Sequence, residues 1–518
     1  MERTTLAWIV FGAYLVATTA LALRGMGKTK DLRAFALGNR DMGPLLVGVT
    51  LAAATASTAT FVINPGFVYA SGLSALLHFG VASVAGVTVG LVVLSKGFRR
   101  VGDRTGALTL PHWIGARFGH PGMRTYFALL NLGLSITFVV LIIKGSALVM
   151  QHTLGLSYEA SVVLIVAFVF SYIMLGGTYA HAYTNALQGG LMILVAIAIV
   201  GSGMHLFGDG IGAFGARLAE EDATLVMPIN PQSPLFGSAW EVWVCGFVVA
   251  FGLVCQPHIL TKSLYLKRDS DVNRYLLISA VVGFVFASIL VAGLYARLTL
   301  PEVPSQDAVM ALYITQAFSP VVGVLVSVAL LAAGMSTMDG ILVSASTIAG
   351  NDLFLGTLGR RLLASRSEAE RQRLALWASR AILVAMGVLA LTIALDPPAL
   401  VGLFAQAGIY ALVAASVAPV AFGIFVRDLD SRHVFAAALL GPAVHFAHYG
   451  TVVWIGGGFL NPAVSATEGV LASVGLLAAS IAYRRARTRR RLPRLCTSAS
   501  RASAATATHG VPRPRPGA

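Results

Sequence analysis

The chain contains thirteen apolar segments of about 20 residues, the length that an α-helix needs to cross the hydrocarbon core of a bilayer. Of its 518 residues, 57% are hydrophobic and 11% are charged, and the mean hydropathy is +0.79. This composition excludes an ordinary soluble protein and predicts an all-α polytopic membrane protein. The predicted spans are 5–24, 42–71, 74–96, 124–152, 158–176, 182–205, 239–258, 273–299, 319–347, 375–396, 398–426, 433–454 and 465–484.

Lysine and arginine are concentrated in alternate loops. Five of them follow span 1 between residues 24 and 40, four follow span 3 between residues 99 and 117, and the loops after spans 7, 9 and 11 are also basic. The opposite loops have few cations, and the long one at 206–238 carries one arginine against four acidic residues. Because short cytoplasmic loops are enriched in Lys and Arg, we expect an N-terminus outside, a cytoplasmic C-terminus and a location in the plasma membrane.

The net charge of +15 comes largely from the C-terminal segment, where residues 484–518 hold ten arginines and no acidic residue. This segment lacks apolar periodicity, so we expect a transmembrane domain at 1–485 and a disordered cytoplasmic tail at 486–518. A basic tail of this kind suits anionic lipid. Nothing in the sequence indicates a nucleic-acid partner or an obligate protein partner.

Span 9 carries polar residues at its centre, where a membrane helix is normally apolar. An intramembrane carboxylate such as Asp339 normally faces the bundle interior or an ion pathway. At 3.6 residues per turn, Ala333, Ser336 and Thr337 lie on one face together with other small or hydroxylated residues. The pattern alone leaves two interpretations open, which are coordination of a small hard cation by oxygen atoms and close packing between helices.

Two spans are interrupted by proline. Residues 51–72 hold a run of small and hydroxyl residues before Asn64-Pro65-Gly66, and residues 251–260 hold Gln256-Pro257. Proline removes a backbone donor and frees carbonyl groups. The interruptions fall in spans 2 and 7, which predicts two five-helix units related by inverted topology, at about 42–205 and 239–426, with the solute bound near the midplane. The alternative is that both prolines merely kink packed helices.

The sequence contains no enzyme motif. It lacks a phosphate-binding glycine loop and an HExxH pair, and its three cysteines are too scattered for a metal site. His78 and His258 are predicted at membrane depth, where we interpret them as structural or pore-lining residues. No catalytic residue is therefore assigned, and an intramembrane enzyme is a weak alternative.

Four motifs, which occur in the family's order and spacing, resemble the sodium:solute symporter family. The similarity extends from Gly38 to Asp352. It implies a carrier of thirteen helices with the leucine-transporter-like inverted-repeat fold, alternating access, Na+ as the coupling ion and a small-molecule solute as the cargo. The motifs are NPGFVYASG, the Gly176-Gly177 pair followed by TYAHAYTNALQGGLM, Gln256-Pro257-His258, and GMSTMDGILVSASTIAGNDLF.

The resemblance also implies a sodium site between the interrupted span 2 and span 9. Carried over by position, the ligands are the backbone carbonyls of Ala53, Ala56 and Ala333 and the hydroxyls of Ser336 and Thr337. Along the two interruptions, the residues expected to contact the solute are Ser57, Thr58, Phe251, Gly252 and Gln256.

The sequence departs from the family at one coupling position. Where the family commonly has a Thr-Asp step, this chain has Thr184-Asn185. The missing negative charge predicts one sodium ion per solute, although an amide still offers a neutral oxygen. Asp339, one turn from the implied sodium ligands, is a candidate to replace that charge.

Lys144 lies in the middle of span 4, where an ammonium group must pair, snorkel or titrate. One interpretation is a counter-charge for a carboxylate substrate or for Asp339, and the other is a position nearer the membrane interface. The spacing of the motifs is closest to that of pantothenate and monocarboxylate carriers, so a small carboxylate is the predicted solute. A proton-coupled carrier, a transporter-like sensor and a passive channel are the alternatives.

Overall fold

The computed structural model describes residues 3–28, 32–301, 303–359, 363, 365–506 and 517, of which the side chains of residues 3, 39, 175, 176, 358 and 488–506 are not described. In the first half of the chain, the α-helices are α1 (Arg3–Met26), α2 (Leu32–Leu37), α3 (Pro44–Thr55), α4 (Asn64–Ser71), α5 (Leu73–Leu76), α6 (Ser83–Thr105), α7 (Leu110–Phe118), α8 (Pro121–Leu154), α9 (Tyr158–Ser202) and α10 (Ile211–Glu221).

The second half contains α11 (Gly246–Leu253), α12 (Pro257–Leu260), α13 (Asp271–Ala287), α14 (Ala292–Thr299), α15 (Val309–Ala317), α16 (Pro320–Ile348), α17 (Glu368–Leu395), α18 (Val401–Phe425), α19 (Ser431–Tyr449) and α20 (Pro462–Thr506). The 3-10 segments are Gly38–Arg40, Met204–Phe207, Ala223–Val226, Thr261–Leu264, Ser288–Val291 and Gln306–Ala308. Helical segments with π geometry lie at Ala59–Ile63, Leu77–Ala82, Trp240–Cys245, Ala349–Leu358 and Gly450–Ile455.

Within the described residues, nine helices are long and apolar enough to cross a membrane, and two bent helix pairs raise the number to eleven. Tyr158–Met174 is apolar but shorter, and Ser431–Tyr449 forms a helix at the predicted twelfth span. A helix therefore lies at every predicted span. The polytopic all-helical fold is confirmed, whereas the count of thirteen membrane crossings stays a prediction.

The first bent pair is Pro44–Thr55 with Ala59–Ser71, at an angle of 53°. The helix is interrupted at Ala56, which has φ −91° and ψ 85°, and not at Pro65, so our assignment of this interruption to the proline was wrong. Pro65 lies near the start of α4, which continues directly from the π-helical segment Ala59–Ile63, so the proline is accommodated inside a continuous helix where one turn is locally widened. Beyond the interruption, the backbone N–H of Ala59 is satisfied by the hydroxyl of Ser57 at 3.0 Å.

The second bent pair is Trp240–Leu253 with Pro257–Leu264, at an angle of 64°. Here the sequence located the interruption correctly, because Pro257 begins α12 directly after Gln256 in extended conformation. A further change of direction occurs within α9 at Gly177, with φ 57° and ψ −149°. Only glycine adopts that backbone conformation readily.

The most enclosed long helix is α16. Its most apolar window is 83% buried, and it packs against α1, α3, α8 and α9. The polar residues of this helix therefore lie inside the bundle, next to the interrupted α3.

At the C-terminal end of the chain, α20 continues to Thr506, so residues 486–506 are helical where we expected disorder. Arginine and alanine are strong helix formers and need no apolar periodicity. Residues 507–516 and 518 of the expected tail lie outside the described residues.

Candidate cation and solute site

The hydroxyl of Ser336 joins two helices. Its Oγ lies 2.8 Å from the carbonyl oxygen of Ala53 and 2.8 Å from that of Ala333. All three residues are fully buried. Ala53 is among the last four residues of α3, whose carbonyl groups have no partner within the helix. Three oxygen atoms therefore lie close together: a carbonyl oxygen from the interrupted α3, and a carbonyl oxygen and a hydroxyl oxygen from α16.

The other two expected sodium ligands lie at the edge of this group. Thr337 donates its hydroxyl to the carbonyl oxygen of Ala54 at 3.2 Å, one residue along from Ala53. Ala56 terminates α3 and lines the neighbouring cavity. The structure therefore brings three of the five expected ligands into direct contact, while Thr337 contacts the next residue of α3 and Ala56 lies at the end of that helix.

Asn185, on α9, also contacts Ser336. Its side-chain nitrogen donates to the carbonyl oxygen of Ser336 at 3.1 Å. Its side-chain oxygen is buried and has no hydrogen-bond partner. Burying such an oxygen without a partner is unfavourable by about 1–3 kcal/mol. An unpaired neutral oxygen beside the Ser336 group is a further potential cation ligand.

Asp339 is fully buried one turn further along α16. Its carboxylate accepts a short hydrogen bond from the hydroxyl of Tyr172, and another from the hydroxyl of Thr184 at 3.1 Å. Both donors lie on α9, so Asp339 ties α9 to α16 through hydroxyl groups. The described residues contain no group of three or more His, Cys, Asp or Glu side chains that would hold a metal ion, and the Ser336 site instead consists of neutral oxygens.

A cavity of about 200 Å³ lies between the two interruptions. It has an apolar part that includes Phe79, Phe138 and Phe286. None of the described lining residues is Lys, Arg, Asp or Glu. The cavity therefore offers hydrogen bonds and apolar contact without a fixed side-chain charge. Its polar lining consists of Thr55, Ser57, Thr60, Asn64, Ser83, Thr88, Gln256, His258, Ser279, Gln406 and Tyr410.

Only some of the residues that were expected to contact the solute line the cavity. Ser57 and Gln256 line the cavity, whereas Thr58, Phe251 and Gly252 are not part of its lining. Gln256 is buried, and its amide nitrogen has no hydrogen-bond partner.

The neighbours of two of these residues explain why they lie outside the cavity. Thr58 packs against Gly145 and Gly334, and Gly252 packs against Val413 of α18. We did not identify Gln406 from the sequence, although a lone amide within the apolar span 11 was a visible signal.

The ammonium group of Lys144 binds groups outside the cavity. Its ammonium group donates to the Asp307 carboxylate at 2.8 Å and to the carbonyl oxygens of Pro398 and Ala399 at 3.0 Å each. Lys144 does not line the cavity. Its charge is balanced by Asp307, whose side chain is only 2% exposed, and not by Asp339. The geometry favours a pairing role over that of a solute counter-charge.

Replacing both members of this ion pair, as Lys144→Met with Asp307→Leu, is expected to leave the KM for the solute within about twofold of wild type. A buried ion pair replaced by apolar groups of similar volume is often neutral. The measurement is initial-rate uptake at saturating sodium, normalised to folded protein. A rise in KM of about tenfold, equivalent to 1.4 kcal/mol, would instead identify Lys144 as the counter-charge of the solute.

The chain is similar in sequence to known membrane transporters. A model of the sodium:solute symporter family matches residues 35–441. The sodium/pantothenate symporter of Haemophilus influenzae is 26% identical over 438 residues, which cover 84% of this chain and 87% of that protein. The sodium/proline symporter of Escherichia coli is 24% identical over 501 residues, which cover 93% and 94% of the two chains.

Two solved structures share the fold. A Na+-coupled sialic acid symporter in an outward-open, substrate-bound state has a TM-score of 0.74 at 18% identity, covering 92% of this chain and 97% of that one. A nucleobase-cation-symport-1 family transporter has a TM-score of 0.53 at 15% identity, covering 86% and 93%. The leucine-transporter-like fold is thereby confirmed. With the family match spanning most of the membrane domain, the chain belongs to the sodium:solute symporter family.

Proposed function

We propose that the protein binds one sodium ion between α3 and α16 and uses its gradient to import a small carboxylate by alternating access. As a member of its family, the chain is a sodium-coupled symporter of a small organic solute. The observation that supports the location of the ion is the contact of the Ser336 hydroxyl with the Ala53 and Ala333 carbonyls. Oxygen ligands suit a hard cation.

Sodium binding requires only a local rearrangement at this point. The Ser336 hydroxyl hydrogen rotates away from the two carbonyl oxygens, so that its own lone pairs and those of Ala53 and Ala333 face the ion. Ala56 and Thr337 complete the proposed set of five oxygens, and Asn185 has an unpaired oxygen beside Ser336. Because Ala53 precedes the interruption and Ala56 lies at it, the bound ion fixes the conformation of the interrupted helix next to the solute cavity.

The relatives that transport pantothenate and proline support a small carboxylic acid as the solute. The cavity contains no described cationic side chain, so the solute carboxylate needs another source of positive potential. We assign that role to the sodium ion itself, with hydrogen bonds from neutral donors such as the unpaired amide nitrogen of Gln256. This arrangement makes sodium a requirement for solute binding as well as the driving ion.

We infer the orientation from the basic loops together with contacts at the two ends of the bundle. Arg99, at the end of α6, pairs with Asp269 in the loop after span 7 at 2.5 Å. The two basic loops therefore lie at one end, which we assign to the cytoplasm. Lys144 and Asp307 connect α8 to the loop after span 8, which we assign to the outer side. This supports an N-terminus outside and a location in the plasma membrane.

The test is uptake of labelled pantothenate, proline, acetate, pyruvate and lactate by liposomes containing the purified protein. An inward sodium gradient is compared with an equal potassium gradient. We expect accumulation of one solute that requires sodium and saturates with concentration. Accumulation driven equally well by potassium would contradict sodium coupling, accumulation driven by an inward pH gradient would favour a proton-coupled carrier, and unsaturable flux would favour a channel.

Replacing Gln256 with leucine is expected to raise the KM for the solute about tenfold, because it removes one hydrogen-bond donor from a buried site. The measurement is uptake at saturating sodium, where the sodium occupancy of wild type and variant is the same. Gln316→Leu is the matched control, since that amide donates to the carbonyl of Thr299 in an exposed contact outside the cavity. Equal KM values for the two variants would remove Gln256 from the solute site.

A further inference from the structure

Lys262 is fully buried, although the sequence placed it in a cytoplasmic loop. It lies in the Thr261–Leu264 segment that continues α12. Its ammonium nitrogen is 2.6 Å from Nε2 of His181 on α9. Among the described residues, no carboxylate lies within ion-pair distance of it. A buried lysine normally has a carboxylate partner, so a histidine in that place calls for a separate explanation.

Two nitrogen atoms at this distance share a single proton. When the pair carries a positive charge, the ammonium of Lys262 donates to the neutral imidazole of His181, and when the pair is neutral, one N–H still joins the two nitrogens. The positive charge of the protonated pair would repel a second proton between the two nitrogens. The far nitrogen of His181, Nδ1, is buried without a hydrogen-bond partner. The pair therefore has two states that differ by one proton and one unit of charge.

Several titratable groups surround the pair. The carboxylate of Asp339 on α16 faces it but is already held by the hydroxyls of Tyr172 and Thr184. The guanidinium of Arg99 on α6 binds the carbonyl oxygens of Ser263 and Leu266. The other groups are His258 on α12 and Tyr265, which directly follows the Thr261–Leu264 segment and whose ring centroid lies 5.9 Å from the Lys262 nitrogen.

The pair is connected to the Ser336 site through α9 and α16. His181 lies one turn before Asn185, which donates to the carbonyl of Ser336 at 3.1 Å. On the facing helix, Gly340 lies one turn after Ser336, and a Cβ there would be 3.2 Å from the His181 ring. One helical turn is about 5.4 Å. The pair and the sodium site are therefore neighbours along both helices, and two positive charges close to each other inside a protein repel each other appreciably.

We propose that Lys262 and His181 form a proton-binding site whose occupancy is exchanged with that of the sodium site. The pair holds a proton when the sodium site is vacant. When sodium binds, one N–H bond of the Lys262 ammonium breaks, the proton passes to water, and the amine remains neutral beside His181. This inference rests on the sodium site proposed above. It predicts that sodium binds more weakly at low pH, where the pair is positively charged.

The test measures sodium binding and proton release together. Sodium is added to the purified protein in a weakly buffered solution containing a pH-sensitive dye, with choline as the control cation, and sodium affinity is measured in parallel at several pH values. We expect release of up to one proton per protein. The apparent sodium affinity should fall by up to about tenfold for each unit decrease in pH within the titration range of the pair.

Lys262→Met should release no proton and bind sodium with an affinity that does not change with pH. Lys267→Met removes an exposed lysine a few residues away and should behave as wild type. Sodium binding by wild type without proton release at any pH would overturn the inference while leaving the sodium site in place. Because that result is obtained with wild-type protein, it does not depend on whether the Lys262 variant folds. Failure of the wild-type protein to bind sodium would contradict the sodium site itself.

Discussion

Arg124→Ala is expected to lower the free energy of unfolding by about 3–5 kcal/mol, the range typical of breaking a buried ion pair from one side. The Arg124 guanidinium donates to the Asp352 carboxylate at 2.6 Å, and the side chain of Asp352 is fully buried. The Thr109 hydroxyl donates to the same carboxylate at 2.6 Å. Without Arg124, a buried negative charge loses its cation, and the π-helical segment Ala349–Leu358 loses its connection to α8.

The measurement is the Tm of the purified protein in detergent, compared with that of Arg366→Ala. Arg366 pairs with Glu370 at 3.5 Å, but these side chains are 56% and 50% exposed, so we expect little change in Tm. The double variant Arg124→Leu with Asp352→Leu should recover much of the lost stability, because neither charge is then left unpaired. Equal Tm values for the two alanine variants would contradict a structural role for the Asp352 pair.

Ser336→Ala is expected to raise the sodium concentration for half-maximal uptake by about tenfold to a hundredfold. The change removes one oxygen from the proposed ion site, and a polar contact to a charged group contributes about 1.5–3 kcal/mol. It also removes the hydroxyl that contacts the Ala53 carbonyl across the helix interruption. The measurement is the initial rate of uptake as a function of sodium concentration, at a solute concentration that saturates the wild-type protein.

Thr347→Ala is the matched control for this prediction. Its hydroxyl is also buried on α16, but it donates to the Val343 carbonyl of its own helix at 2.8 Å. We expect it to leave the sodium dependence unchanged. A shift of the same size in both variants would indicate a general loosening of α16, and no shift in either would place the sodium site elsewhere.

Local sequence chemistry predicted one helix interruption more accurately than the other. At Gln256-Pro257, the proline begins a new helix, so the interruption falls where the residue type requires it. In span 2, Pro65 lies inside the helix that continues from the π-helical segment Ala59–Ile63, while the interruption occurs earlier at Ala56. Small residues and a hydroxyl that satisfies the freed N–H define that point, and no single residue type signals it.

The sequence likewise predicted some features of the candidate site and not others. The grouping of Ser336 with Ala53 and Ala333 was predicted by resemblance to the family, and the helical period put Ala333 and Ser336 on one face. The partners of Lys144 and Lys262 were not predicted, because Lys144 and Asp307 are 163 positions apart and His181 and Lys262 are 81 apart. Periodicity and motif spacing describe single helices, whereas these pairs depend on how separate helices pack.

Binding of radiolabelled sodium to the purified protein, without a gradient or a solute, tests the proposed ion site most directly. We expect saturable binding of one ion per protein in wild type, unchanged affinity in Thr347→Ala, and affinity weakened at least about tenfold in Ser336→Ala. Addition of the transported solute should tighten sodium binding in wild type, because the ion balances the solute charge. Wild-type sodium affinity in the Ser336→Ala protein would contradict the location of the ion between α3 and α16.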